Sequence, residues 1–357
     1  MTAQSPRSAN DPVVVMIATI LEQEHVDRIA SVDPRRVRII YRPDLQPPSR
    51  YVADHHGPSD WTRDPADETE FRSLLSQAEV LWDFADIRDA APLELSPKLK
   101  WVQTSSAGVG QQVKKLGLQE SDLIVTTASG VHGQPLTEFV FASLLFYTKR
   151  FPQLIADQKA HHWDRFCGGE LAGKRMAVIG PGRIGREVAR IAKAFNMEVW
   201  AMARSNDPQR ADDLGVDRVL PRAQLHELLG AADCVVLATP HTPETENLID
   251  RSAIAAMKPG VVLVNIARGI VIDEEAMIKA LESGQIGFAS LDVTRVEPLP
   301  ASSPLWDLPN VLICPHSAST ADTENSKIVD IFVHNLRCYL DGRIDEMTPV
   351  LDKMRLY

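Results

Sequence analysis

The chain has little of what builds a disulfide scaffold, a metal cluster or a membrane anchor. Only four cysteines occur in 357 residues (Cys167, Cys234, Cys314 and Cys338), and no CxxC or zinc-type spacing links them. Reduced thiols in a cytoplasmic protein are therefore the expectation. No run approaches the roughly 18 apolar residues that a membrane helix needs, so no membrane partner is expected. Residues 1–12 are polar and lack the apolar centre of a signal peptide, and read as a loose tail. An excess of positive charge is also missing: 38 Lys+Arg stand against 48 Asp+Glu, a net charge of −10. That field opposes nonspecific binding to a phosphate backbone and argues against a nucleic-acid partner, while a local basic pocket remains compatible with it. There is no repeat of solenoid length and no low-complexity tract. What remains is the composition of a globular chain, 44% hydrophobic and 24% charged, and too long for a single ordinary core.

Short Val- and Ile-rich runs alternate with helical patterns almost from end to end. In the first third they are Val13–Ile20, Val37–Ile40, Glu79–Phe84, Leu99–Thr104 and Leu123–Thr127. Each is of strand length and nearly continuous in hydrophobicity, the mark of a parallel sheet covered on both faces. Tyr41–Asp67, rich in Pro, Asp and His without a period, reads as a long surface loop. After a helix at His132–Arg150, a second series follows: Arg175–Gly180, Glu198–Ala203, Cys234–Pro240, Val261–Ala267, Phe288–Val293 and Val311–Pro315. Helical segments lie between them at Arg183–Phe195 and Glu274–Ser283, and Ala321–Tyr339 is helical again. The fold class is α/β, with doubly wound parallel sheets.

The strongest local feature is GPGRIG. Gly180, Gly182 and Gly185 form G-x-G-x-x-G between a buried strand and a helix, with Arg183 and Ile184 inside the motif. The first glycine permits the tight turn, the second lets a pyrophosphate approach the backbone, and the third lets helix and strand pack closely. The helix N-terminus offers unpaired N–H groups to the phosphates. An NAD site of this kind expects a carboxylate at the end of the next strand, but Ala203 is followed by Arg204 and Ser205. Arg204 can fork onto a 2′-phosphate and Ser205 can add a hydroxyl, so NADP(H) is expected as the preferred cofactor, with NAD(H) still possible.

Three further segments stand at strand ends, where doubly wound sheets bind ligands. Arg268 follows the run Val261–Ala267; a buried guanidinium there needs an anionic partner, and a 2-oxo acid offers matching oxygens. Glu297 lies past the next strand and His316 past the one after. An imidazole beside a carboxylate is held in one tautomer and stays protonated to higher pH, which makes it a general acid for a carbonyl oxygen. Singly, His316 is equally a strand-end histidine bonded to backbone, Glu297 a loop carboxylate and Arg268 a structural ion pair. The doublets His55-His56 and His161-His162 have no zinc spacing and read as surface or loop residues.

SSAGVG (Ser105–Gly110), VHGQPLTEFVFASLL, GPGRIG, TPHTPETENLI, KPGVVLVNIARG, SLDVTRVEPLP and CPHSAS together resemble the D-isomer-specific 2-hydroxyacid dehydrogenase family, over most of the chain. The resemblance implies that Arg268 binds substrate, Glu297 supports the histidine and His316 is the acid/base. It implies that Asp292 contacts the nicotinamide carboxamide and that Thr239, Pro240, Thr245 and the Ile266-Ala267 backbone lie along the cofactor. The substrate carboxylate would be held near Ala107, Gly108 and Val109. It also implies a Rossmann domain (132–318) inserted into a flavodoxin-like substrate domain (13–131 and 319–357), a cleft between the two that closes over a small 2-oxo or 2-hydroxy acid, and a homodimer. Trp163 and Phe166 would approach a neighbouring subunit's active site or pack in the interface.

Several positions depart from the pattern. Gly110 stands where many relatives carry Asp, and His241 replaces a more usual apolar residue, to reach the cofactor or stay exposed. The missing ribose carboxylate is similar to the glyoxylate and hydroxypyruvate reductase branches, and Glu297 argues against the formate dehydrogenase branch. The expected activity is NADPH-dependent reduction of a small 2-oxo acid. Two alternatives stand beside it: an NAD-dependent, phosphoglycerate-like dehydrogenase, and a nucleotide-sensing, corepressor-like scaffold.

Overall fold

The computed structural model describes residues 11–87, 89–203 and 210–356. The chain divides into two compact units. One runs up to His132 and resumes at Thr320; the other is Gly133–Ser319. Each division falls one residue later than the sequence suggests.

The first unit holds a five-stranded parallel sheet of β1 (Val13–Ile17), β2 (Val37–Ile40), β3 (Val80–Trp82), β4 (Trp101–Gln103) and β5 (Ile124–Thr126), in the order β2-β1-β3-β4-β5. Apart from the exposed Arg38 on the edge strand β2, their residues are buried or half-buried on both faces, which is why they read as nearly continuous apolar runs. The helix Glu324–Leu340 returns the chain to this sheet: Phe332 stacks on Trp101 at 4.9 Å between ring centroids and meets the edge of Trp82 at 5.6 Å. The segment that follows extends the sheet past β5, with Val350 bridging Thr126 antiparallel and Leu351 N–H donating to Val125 O at 2.8 Å.

The second unit holds β6 (Arg175–Ile179), β7 (Glu198–Met202), β8 (Arg218–Leu220), β9 (Cys234–Leu237), β10 (Val261–Asn265), β11 (Ile286–Leu291) and β12 (Val311–Ile313). Their order is β12-β11-β10-β9-β6-β7-β8, all parallel, with the winding reversing between β6 and β9. The helices Gly133–Thr148 and Arg183–Ala194 cover one face through Leu136, Val140, Leu144, Val188 and Ala192. The helix Glu274–Glu282 covers the other through Met277 and Leu281. β8 escapes a hydropathy reading because it is a three-residue edge strand with an exposed Arg218 at its start.

Tyr41–Asp67 is largely the surface loop its composition suggests, but one with a buried underside. It contains a short 3₁₀ turn at Pro43–Leu45, buries Leu45, Ala53, Asp54 and His55, and passes into a helix at Pro65. Among the described residues no helix is long and apolar enough to cross a membrane, no cluster of His, Cys, Asp or Glu could hold a metal ion, and all four cysteines are free.

Candidate active site

Five neighbouring strands of the second unit, from β12 across to β6, carry the expected site residues at their carboxyl ends. Four strand spacings cover about 19 Å. At one end, β6 terminates in Gly180, whose φ of +95° is open to glycine; a Cβ there would lie 2.9 Å from the backbone of Ala238 and Thr239. A Cβ on Gly185 would lie 2.3 Å from the Gly180 carbonyl oxygen, so the helix can start this close to the strand only because both residues are glycine. Gly182 is different: a Cβ there would meet nothing within 4 Å. The turn therefore leaves an uncovered backbone surface at the start of the twelve-residue helix Arg183–Ala194. Open backbone, unpaired N–H groups and the positive end of the helix dipole fit the pyrophosphate of a dinucleotide.

Arg183 is exposed in the first turn of that helix, and Ile184 is half-buried against the core. Beyond β9, Thr239 is buried and Pro240 exposed. Thr245 shapes this loop: its hydroxyl donates to Pro240 O at 2.8 Å and accepts from Thr242 N–H at 2.8 Å. His241 is half-buried. Ile266 and Ala267 are buried just past β10, with Ile266 N–H donating to Leu237 O at 3.2 Å. Arg204 and Ser205 lie outside the described residues.

At the other end stand Arg268, Glu297 and His316. Nδ1 of His316 lies 2.8 Å from Oε2 of Glu297, and Oε1 of that carboxylate accepts Thr294 N–H at 3.0 Å. The hydrogen bond from Glu297 raises the His316 pKa above the ordinary imidazole value, with the charges of Glu297 and Asp292 adding to it against burial and the positive charge of Arg268. Burial alone would raise the Glu297 carboxyl, but the His316 hydrogen bond and charge, the Thr294 N–H and the charge of Arg268 together hold it below its ordinary value. His316 sits at φ +55°, and its N–H donates to both Asp292 O and Cys314 O at 2.9 Å. A non-glycine residue held in this region costs on the order of 1 kcal/mol and persists only where its surroundings fix it. Asp292 is buried and accepts Ala318 N–H at 2.9 Å, tying the strand-end loops of β11 and β12 together.

Arg268 is half-buried; its Nη1 donates to Ala267 O at 2.7 Å, and among the described residues it forms no ion pair. Gly269 explains how this turn meets its neighbour, because a Cβ there would lie 2.0 Å from the Thr294 carbonyl. The Arg268 turn thus presses directly on the loop that carries Glu297. Sequence reading missed this contact, and it missed Asn265, a fully buried amide at the end of β10. A polar amide closing an otherwise apolar strand was the available signal.

In the first unit, Ala107 is half-buried, Gly108 exposed and Val109 buried, ahead of the short helix Gly110–Lys115. Gly110 has a packing reason: a Cβ there would lie 2.0 Å from the carbonyl oxygen of Leu356. The doublet His55-His56 splits, with His56 exposed and His55 buried. His55 Nε2 lies 3.6 Å, and His132 Nε2 3.4 Å, from Oε1 of Glu324. Burial raises the Glu324 carboxyl, yet the two imidazoles outweigh it and bring the pKa down to about 2. His161, His162 and Trp163 are exposed.

Residues 141–318 match the family described as "D-isomer specific 2-hydroxyacid dehydrogenase, NAD binding domain". The chain is 35% identical over 313 residues to the D-3-phosphoglycerate dehydrogenase of Mycobacterium bovis, covering 83% of this chain and 58% of that protein; it spans little more than half that relative's length. It is 32% identical over 305 residues to the glyoxylate reductase of Thermofilum pendens, covering 83% of this chain and 86% of the relative. Among solved structures, a D-isomer specific 2-hydroxyacid dehydrogenase from Xanthobacter autotrophicus Py2 in complex with NADPH and MES is similar at a TM-score of 0.74 and 26% identity, covering 97% of this chain and 100% of that one. With a relative matched at this identity along nearly its whole length, the chain belongs to the D-isomer-specific 2-hydroxyacid dehydrogenase family.

Proposed function

We propose that this protein reduces a small 2-oxo acid to the D-2-hydroxy acid with NADPH as the preferred cofactor. The observation that carries the reading is the His316–Glu297 pair at 2.8 Å, two strands from an arginine with no carboxylate partner among the described residues. When bound, the reduced nicotinamide supplies a hydride to the carbonyl carbon. Glu297 occupies Nδ1 of His316, which leaves Nε2 to give its proton to the carbonyl oxygen; hydride and proton together complete the hydroxy acid. Arg268 draws electron density from the carbonyl and grips the carboxylate side of the substrate. The Ala107–Val109 backbone is proposed to hold the carboxylate itself, and Asp292 to orient the nicotinamide carboxamide. Thr239, Pro240, Ile266 and Ala267 would line the cofactor, with Thr245 shaping that loop.

NADPH rather than NADH follows from Arg204 and Ser205 standing where a carboxylate would hold the ribose, and the Xanthobacter relative binds NADPH. A second reading, NAD-dependent oxidation of a phosphoglycerate-like acid, is favoured by the Mycobacterium relative. The two separate in one assay: NADPH and NADH oxidation with glyoxylate, hydroxypyruvate, pyruvate and phenylpyruvate, and NAD reduction with D-3-phosphoglycerate. We expect reduction to dominate and NADPH to be preferred. Arg204→Asp should shift that preference toward NADH by about tenfold or more, the worth of one charge-assisted hydrogen bond. Strong phosphoglycerate oxidation, or an unchanged preference in the variant, overturns the corresponding part. A homodimer belongs to the same reading; Phe151, Leu154, Ile155 and Trp163 expose an apolar face for it, and a monomeric mass by light scattering would count against it.

A further inference from the structure

Asn265 is the last residue of β10 and has no exposed surface. Its side chain makes two bonds of opposite sense to the turn that follows. Oδ1 accepts Ala267 N–H at 3.0 Å, and Nδ2 donates to the Arg268 carbonyl at 3.2 Å. Its own carbonyl accepts Asp292 N–H at 3.0 Å. One amide therefore clasps the turn on both sides of Arg268, and the same residue ties that turn to the strand end from which the Glu297 loop departs. Only an amide can bridge the turn in this way, because a carboxylate lacks the donor and a hydroxyl is too short to reach both groups.

The guanidinium itself has only one hydrogen bond among the described residues, to the Ala267 carbonyl. Arg268 keeps several rotatable bonds, so its aim depends on how firmly its backbone is held. Val271 N–H donates to the Arg268 carbonyl at 3.2 Å, and two further restraints hold the turn. Gly269 is wedged against the Thr294–Arg295 backbone, where a Cβ would lie 2.0 Å from Thr294 C and 2.4 Å from Arg295 N. The other restraint is the Asn265 clasp. Packing against Thr294 limits how far the turn can move; the clasp sets its direction.

We propose that Asn265 is a positioning residue for the 2-oxo acid: it acts through Arg268, setting the angle at which the guanidinium meets substrate. The inference rests on the proposed role of Arg268. Mispositioning by about 1 Å can cost a hundredfold in rate, so Asn265→Ala should lower kcat/KM for glyoxylate about that much. The affinity for NADPH should fall far less than kcat/KM, because the amide touches the proposed cofactor wall only at Ala267 N–H and the glycine turn does not use it.

A double-mutant cycle decides between positioning and a merely structural role. If Asn265 works through Arg268, adding Asn265→Ala to Arg268→Ala removes little further activity. A full additional loss in that background, or an equal weakening of NADPH binding in the single variant, overturns the proposal. Asn265→Ser separates the two bonds, since serine still accepts from the N–H two residues on but cannot donate to Arg268 O; it should lose most of what Asn265→Ala loses, and it takes the alanine variant's place in the cycle should that variant not fold. Binding of oxamate to the NADPH-loaded protein, measured by calorimetry, provides a readout apart from turnover. If no 2-oxo acid is reduced by the unmodified protein, the proposed activity fails, and the cycle on oxamate affinity still supports or refutes the clasp.

Discussion

Among the described residues histidine meets glutamate at two sites, and the protein treats them oppositely. In the second unit His316 and Glu297 meet at 2.8 Å with side chains 45% and 38% exposed. In the first unit His55 and His132 approach Glu324 at 3.6 and 3.4 Å, with none of the three side chains more than 12% exposed. The exposed pair is the shorter, and it engages only Nδ1 of His316. The buried trio leaves both ring nitrogens of His55 and one oxygen of Glu324 without a hydrogen-bond partner. Such atoms weaken the native state by about 1–3 kcal/mol each when nothing offsets them. A short, exposed pair at a strand end suits the proposed proton transfer; a long, buried trio suits holding a loop in place.

The largest effect expected from this contrast is on turnover. His316→Ala should lower kcat for 2-oxo acid reduction by about 10²–10⁴-fold, the range of general acid catalysis, while NADPH affinity by fluorescence titration is retained. Unchanged turnover would end the assignment.

The buried trio should answer in stability instead. Glu324 has a pKa of about 2 against an ordinary 4.5, so its folded form is favoured as the carboxylate. A depressed carboxylate adds stability above its unfolded pKa and loses it as pH falls toward the folded value, here from about 4.5 down to about 2. Glu324→Gln should therefore cost about 3 kcal/mol at neutral pH, and the difference should vanish near the acid end of that window. Urea unfolding at a series of pH values measures it; a constant gap across the window contradicts the lowered Glu324 carboxyl.

Glu297→Gln sharpens the comparison with the smallest change. His316 is raised by its bond to Glu297, and a general acid must be protonated, so the reduction rate declines as pH rises through that pKa. Removing the carboxylate's charge lowers the pKa and moves the decline to lower pH, while at pH values well below it the variant keeps most of its rate. A pH–rate profile of kcat/KM with no displacement would show that the two groups do not act together.

Much of the frame was legible because its causes are local. The runs around Val13, Ile39, Val178 and Leu263 needed only hydrophobicity to be read as strands, and each lies in a parallel sheet. The glycine turn was legible for the same reason: a positive φ and a missing Cβ are properties of Gly180 and Gly185 themselves. Tyr41–Asp67 was legible as a loop, but its polar composition hid that Asp54 and His55 are buried against Arg50 and Glu324. Asn265 was passed over although an amide closing an apolar strand marks it, because that signal does not say which groups its two ends will meet.

From residue order alone came the α/β class, the strand ends that carry Arg268, Glu297 and His316, and the absence of a ribose carboxylate after Ala203. These depend on patterns within about 20 residues, where chain geometry limits the choices. Folding in three dimensions settled which ring nitrogen of His316 is taken by Glu297, which side of the Arg268 turn is clasped, and which of two adjacent histidines is buried. Those are questions of pairing between groups distant in the chain, and a partner's direction and distance exist only once the strands lie side by side.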